Sequence, residues 1–293
     1  MIDVLPGAPC QLGEGLCWDA ASERLLMVDI VGRCLLQVDI ASGASRSWPM
    51  PEAIGWVLPT PRAGQHAVGL KTGIALVDTS GQRELRWLDR SFPGDPFCRL
   101  NDACADRAGR IWYGSMADGG DGNAQGRVAS FSRERGVTLH DRGFGVTNGP
   151  AIAPGDRLLY ANDTLRGIVY RYAFCLETGT IAQREAFVRF GVDDGFPDGM
   201  CFDVDGNLWL AMWGSGRVLQ MAPDGQILRR FDLPAPNITK VCFCGPRLDR
   251  LVVSSATVEM SEHARVQYPL AGHLFEIRGH ATRGLPPATA RID

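Results

Sequence analysis

The chain carries few histidines and no pattern among them. His66, His140, His263, His273 and His280 are the five, and none pairs with another at the HExxH spacing that puts two metal-ligating imidazoles on one helix face. No serine sits in a Gly-x-Ser-x-Gly elbow, which speaks against an α/β-hydrolase esterase. Net charge is only −3, and Lys and Arg form no cluster interleaved with aromatics, so no nucleic-acid partner is expected. Apolar runs never approach the ~20 residues of a membrane span. Residues 1–10 lack a basic region followed by an apolar one, and the expectation is a cytoplasmic protein with no membrane partner. Long stretches of 3.6-residue periodicity are missing as well, which leaves strands as the dominant signal.

Nine cysteines make an odd number without a compact framework of spacings. They read as reduced thiols, several packed in strands as small hydrophobes. Cys242-Phe243-Cys244 would place two sulfurs on one strand face, but no two further thiols lie nearby in sequence, so core packing is preferred to a soft-metal site.

What the chain does have is ordinary core-forming composition over 293 residues: 45% hydrophobic, 22% charged, with 35 Gly and 18 Pro that suit a fold of many turns. Nothing in the middle reads as a linker, so residues 1–293 are expected to form one domain. Several segments share a grammar of apolar run, Asp/Gly turn, second run, turn and third run. Asp106-Arg107-Ala108-Gly109, Ala153-Pro154-Gly155-Asp156 and Asp203-Val204-Asp205-Gly206 occupy the same first-turn slot, where Gly supplies the positive φ of a hairpin. Each feeds an apolar strand: Ile111-Trp112-Tyr113, Leu158-Leu159-Tyr160 and Leu208-Trp209-Leu210.

Four short strands per unit and six units, starting near Leu16, Val57, Ala103, Ala151, Met200 and Cys242, predict an all-β, six-bladed β-propeller with four-stranded antiparallel blades around a central channel. Radial packing buries both faces of each small sheet and leaves only short edges. Closure requires the termini to share a blade, with residues 1–6 and 272–277 as complementary strands. A pair of β-sandwiches would also space strands regularly, but would not explain a second pattern. At a repeat of roughly 40 to 50 residues, a polar group precedes an apolar run at one phase: Glu14, Asn101, Asn148, Asp198 and Lys240. Taken singly, Glu14 is a strand-start acid, Asn148 a residue tolerating a left-handed turn and Asp198 a turn acid. In a ring, equivalent positions converge on the axis, where oxygen ligands hold a hard cation.

The motifs Leu12-Gly13-Glu14-Gly15, Arg99-Leu100-Asn101-Asp102, Gly109-Arg110-Ile111-Trp112-Tyr113-Gly114, Thr147-Asn148-Gly149-Pro150 and Pro197-Asp198-Gly199-Met200, in that order, resemble the SMP-30/gluconolactonase family of regucalcin-like sugar lactonases. Gly69-Leu70-Lys71-Thr72-Gly73-Ile74, the run from Leu233 to Lys240 and Gln267-Tyr268-Pro269-Leu270-Ala271-Gly272 look most like its bacterial pentonolactonase branch, xylonolactonase included. The resemblance implies one divalent cation at the channel mouth, with Glu14, Asn148 and Asp198 as metal ligands and Arg99 and Asn101 facing a sugar lactone. Asp118 stands where some members carry a substrate-contacting Glu, and its arm is one carbon shorter.

The chemistry agrees with those residue types. Two carboxylates and an amide oxygen suit Ca²⁺, Mg²⁺ or Mn²⁺, with Fe²⁺ and Zn²⁺ also open, and leave positions for water and substrate. Asp198 is the first candidate general base for the attacking water, and Asp163, at the end of an equivalent strand, is the second. Arg99 offers a planar fork of donors, against the alternative of a surface pair with Asp95 or Asp102. Trp213 is a candidate mouth-lining aromatic, and the Gly-rich stretch 118–125 allows a lid or a plain turn. The expected function is hydrolysis of a pentono- or hexonolactone to the aldonic acid. Two other readings stay open: a non-catalytic calcium-binding propeller, and a metal-dependent hydrolase of another ester. The oligomeric state is not legible.

Overall fold

The computed structural model describes residues 1–81, 84–91, 97–118 and 125–292. These residues form six antiparallel sheets of four strands each. From the axis outward, blade 1 is Gly13–Asp19, Arg24–Asp29, Cys34–Val38 and Ser45–Pro49, and blade 2 is Ile54–Pro59, Gln65–Leu70, Gly73–Asp78 and Leu85–Asp89. Blade 3 runs Cys98–Ala105, Ile111–Ala117, Gly126–Ser132 and Gly136–Phe144. Blade 4 runs Thr147–Ile152, Leu158–Asp163, Ile168–Cys175 and Thr180–Arg189, and blade 5 Phe196–Phe202, Leu208–Trp213, Arg217–Met221 and Ile227–Asp232. The first strand of every blade packs against the first strands of both neighbours, so the ring closes around an axial channel. The fold is the six-bladed propeller expected from the repeats.

Blade 6 is built from both ends of the chain. Asn237–Cys244, Arg250–Ala256 and Phe275–Ile277 are completed on the outside by Ile2–Val4, in the register Ile2↔Ile277, Asp3↔Glu276 and Val4↔Phe275. Backbone hydrogen bonds thus join the termini where a ring of sheets would otherwise have a seam.

The repeated first-turn acids have a packing role. Asp106 accepts the backbone N–H of Arg110 and, at 2.9 Å, the indole N–H of Trp112; Asp203 accepts the N–H of Asn207 and, at 2.9 Å, that of Trp209. Each buried tryptophan ring is thereby satisfied at its polar edge and tied to its own hairpin turn. Trp56, Trp112 and Trp209 are fully buried between sheets.

Every innermost strand carries a register shift against the second strand, at Glu14/Cys17, Ile54/Trp56, Leu100/Ala103, Asn148/Ala151, Pro197/Met200 and Ile238/Lys240. A bulge bends its strand and re-aims the side chain beside it. Glu14, Asn101, Asn148 and Asp198 stand at this bulge, whereas in blade 6 the bulge residue is Thr239 and Lys240 comes one residue later, paired with Ser254. In blade 2 that position is Gly55, where a Cβ would stand 2.5 Å from the Leu100 carbonyl oxygen and 2.7 Å from that of Asn101. Blade 2 gives no side chain there, so its backbone can lie against blade 3.

After blade 6 the chain crosses beneath the ring. Val204 N–H donates to Arg283 O in blade 5's turn, Arg291 N–H to Gly109 O in blade 3's, and Ala290 N–H to Pro59 O in blade 2. Ala290 and Ile292 are buried in a cluster with Trp56, Leu58 and Tyr113. No helix among the described residues is long and apolar enough to cross a membrane.

Candidate active site

At one end of the channel the bulged strand ends form the floor of a cavity of about 710 Å³, within the size range of a small-ligand pocket. Glu14, Asn101, Asn148 and Asp198 line it and are each no more than 6% exposed. Arg99, Asp118 and Trp213 stand on its wall.

A hydrogen-bond chain fixes this floor. Arg99 Nη1 donates to Asn101 Oδ1 at 2.5 Å, and Asn101 Nδ2 donates to Asn148 Oδ1 at 2.7 Å and to Thr147 O at 3.1 Å. Asn148 Nδ2 donates to Thr164 Oγ1 at 3.0 Å, which in turn donates to Pro197 O at 2.8 Å beside Asp198. Blades 3, 4 and 5 are thus tied in sequence. Both amide hydrogens of Asn101 are spent in this chain, so what it retains toward a ligand is the second lone pair of Oδ1.

The carboxylates are different. Glu14 accepts the Gly15 N–H at 2.9 Å, and Asp198 Oδ1 is buried with no hydrogen-bond partner. A buried acceptor left unpaired is costly, and Asp198 lines the cavity together with a second carboxylate, Glu14. Burial first, then the charge of Asp102, pushes the Glu14 carboxyl up to about 7. Burial, reinforced by Glu14 and Asp102, raises Asp198 well above the ordinary carboxylate value. Two buried acids that lift one another are a site short of positive charge. The donor set of Glu14, Asp198 and the Asn148 amide oxygen fits a hard divalent cation. Among the described residues no three His, Cys, Asp or Glu side chains are grouped to hold an ion, so the amide oxygen is essential to that fit.

Other expected site residues are placed differently. Asp163 is fully buried but does not line the cavity. It accepts the Gly145 N–H at 3.1 Å and an Arg166 Nη1 donor at 2.5 Å, which turns its carboxylate into the anchor of a loop and away from a base's position. Its neighbour Thr164 reaches the cavity instead. Asp118 is exposed and paired with Lys71 across the gap between blades 2 and 3, at 2.5 Å. Arg99 forms no pair with Asp102, which is taken by Lys240; Asp95 and the stretch 119–124 lie outside the described residues. Lys240, expected at the phase of the other four, lies one residue past the bulge residue Thr239 and lines a second cavity instead. Thr164, the Lys71 partner of Asp118 and the Asp102 partner of Lys240 were not singled out from sequence. Thr164 opens the short 3-10 turn Thr164–Arg166 just past the strand that ends at Asp163, and nothing in its sequence context marks it.

The second cavity, on the far side of Lys240, is lined by Cys17, Cys104, Cys201 and Cys242 and capped by Leu285–Ala288. Burial pushes the thiols of Cys17 and Cys201 up to about 12 and raises Cys104 and Cys242. They are packed, protonated thiols, as read for Cys242; Cys244 packs in the apolar cluster between blades 1 and 6.

Comparison with known proteins agrees with this geometry. The family described as SMP-30/Gluconolactonase/LRE-like region matches residues 12–257. Pentonolactonase XacC of Haloferax volcanii is 34% identical over 249 residues, covering 84% of this chain and 82% of its own. The 6-deoxy-6-sulfogluconolactonase of Pseudomonas putida is 32% identical, with 92% of each chain covered. A solved structure of the calcium-binding protein regucalcin from Agrobacterium tumefaciens superposes with a TM-score of 0.91 at 26% identity, covering 99% of this chain and 97% of its own. By the match along residues 12–257 and by its fold, the chain belongs to the SMP-30/gluconolactonase/LRE-like family.

Proposed function

We propose that the protein hydrolyses a sugar lactone, a pentono- or hexonolactone, to the aldonic acid with the help of one divalent cation. The observation that carries this reading is the pair of buried carboxylates, Glu14 and Asp198, the latter with an Oδ1 that has no hydrogen-bond partner, at the floor of a cavity that Arg99 also lines. Relatives named as lactonases support it. Glu14, Asn148 Oδ1 and Asp198 would hold the cation, which when bound lowers the pKa of a coordinated water and polarises an ester carbonyl.

The protein's own groups do the rest. Arg99 presents guanidinium donors from the wall, suited to the lactone carbonyl or a neighbouring hydroxyl. Its charge is opposed by burial and supported by Asp118, Glu14 and Asp198, and Asn101 holds its orientation. Asp198 accepts the proton of the attacking water as the carbonyl carbon becomes tetrahedral. It then returns that proton to the ring oxygen as the C–O bond of the lactone breaks, so one water is consumed and a carboxylic acid and a hydroxyl form. The Lys71–Asp118 pair and the Trp213 ring suit the hydroxyls and the apolar face of a sugar ring.

The test is acid release in weak buffer from xylono-, arabinono-, galactono- and gluconolactone, by protein stripped of metal and resupplied with single divalent ions. Release above the spontaneous rate, restored by an ion and abolished in Asp198→Asn, is expected. Ion binding without release from any lactone would replace this reading with a calcium-binding propeller, the property named for the regucalcin relative.

A further inference from the structure

Lys240 is a lysine buried to 5% exposure in the channel. Its Nζ donates to Asp102 Oδ1. Asp102, 1% exposed, has a second oxygen, Oδ2, with no partner. The bulge beside Lys240 is wedged against the floor of the mouth on two sides. Thr239 Oγ1 donates to Gly13 O at 2.5 Å, next to Glu14. Lys240's aliphatic stem lies on Gly199, where a Cβ would stand 2.6 Å from Lys240 Cγ, next to Asp198. The stem of Lys240 thus packs beside the strand segments that carry the two acids of the floor, and its charge acts on both Glu14 and Asp198. Burial opposes that charge, but Asp102 and Glu14 outweigh it.

A buried ion pair is poor evidence for stability, because well-packed apolar residues serve as well. Its position suggests a different use. Glu14, Asp102 and Asp198 bring three negative charges to the channel, and Lys240 is the positive charge that shares its hydrogen bond with one of them. Arg99, on the cavity wall, is a second positive charge that acts on Glu14 and Asp198.

Resting on the divalent-cation reading above, we propose that Lys240 and Asp102 form a built-in charge pair that sets how tightly the mouth holds its exchangeable cation, the ammonium repelling the ion and Asp102 offsetting that repulsion. At an effective dielectric near 20, a charge buried next to the site shifts ion affinity by about tenfold or more. The structure makes the sign opposite for the two partners, which a purely structural pair would not do.

The test is calorimetric titration of Ca²⁺ and of Mn²⁺ into the metal-stripped full-length protein at pH 8, where protons compete least with the ion. Lys240→Met is expected to tighten binding about tenfold, Asp102→Asn to weaken it by a similar factor, and Lys240→Met/Asp102→Asn to return near the parent; Lys240→Arg should match the parent. Weakening in both single variants, or no change in either, overturns the proposal. Should Lys240→Met fail to fold with Asp102 unpaired, the double variant, which leaves no buried charge alone, decides: affinity recovered relative to Asp102→Asn supports the proposal, and affinity equal or lower overturns it. Parent protein that binds neither ion, nor Mg²⁺, Fe²⁺ or Zn²⁺ in the same titration, overturns the cation reading and this inference with it, whereas parent binding with a flat cycle overturns this inference alone.

Discussion

The two ends of the channel are made from the same six strands and have opposite chemistry. At the mouth, the bulges present Glu14, Asn101, Asn148 and Asp198 to a cavity of about 710 Å³. A few residues farther along the same strands, Cys17, Cys104, Cys201 and Cys242 line a smaller space of about 190 Å³ beneath the segment Leu285–Ala288. One end collects oxygens with unspent acceptor capacity, the other thiols held protonated by burial. The lesson is that a propeller's symmetry delivers equivalent positions to the axis at every level, and that the bulge decides which level becomes chemical. Above it side chains are re-aimed into an open cavity, and below it regular alternation packs small apolar groups.

Four predictions break or sharpen that contrast. The largest effect is expected at the mouth: Asp198→Asn and Glu14→Gln should each lower lactone hydrolysis by roughly 10²–10⁴-fold, with unchanged far-UV circular dichroism; activity near the parent level would remove the residue from the site. At the closed end, Ile292→Ala should cost about 2–4 kcal/mol in denaturant unfolding, the range for deleting a buried aliphatic side chain, because Ile292 is 1% exposed beside Trp56 and Tyr113. Its kcat at a temperature where the variant stays folded should hold, since no group of the mouth is touched.

The third prediction concerns pH. Glu14, raised to about 7 from an ordinary 4.5, binds its proton in the folded, metal-free protein where the unfolded chain has lost it. Its contribution to stability is thus complete below about 4.5 and is lost as pH rises through about 7, with a slope of at most about 1.4 kcal/mol per pH unit. Thermal melts of metal-free protein between pH 5 and 8 should show that decline, and Glu14→Gln should reduce it, leaving the share of Asp198, which is raised in the same direction. The smallest effect is Arg99→Lys, which keeps the charge but loses the planar fork. An increase in KM of about tenfold for the lactone is expected in steady-state kinetics, and an unchanged KM would place the guanidinium outside the substrate's reach.

Much of this was legible along the chain. Asp106 and Asp203, three residues before a Gly and six before a Trp, mark hairpins whose turns are tied to core rings. The phase shared by Glu14, Asn101, Asn148 and Asp198 marks the bulges, and Lys240 misses it by one residue. Local chemistry is sufficient there, since Gly, Asx and alternating apolar residues act within a few positions. Asp163 shows the limit: its sequence context matches a site acid, yet Gly145 and Arg166 capture its carboxylate in a loop. Likewise, nothing near Asp118 in sequence points to Lys71, 47 residues away.

By itself the sequence determined the strand grammar, the six-fold repeat, the sharing of a blade by the two termini and the residue types gathered at one phase, because each depends on local conformational preference and burial of alternating faces. Only the tertiary structure decided which of those residues remain free for chemistry. Ring closure brings Asp102 to Lys240, 138 residues apart, and Asn101 to Asn148, and lays the segment ending at Ile292 under the channel. Side-chain partnership across blades follows from the closed geometry of the whole ring, which no single repeat encodes.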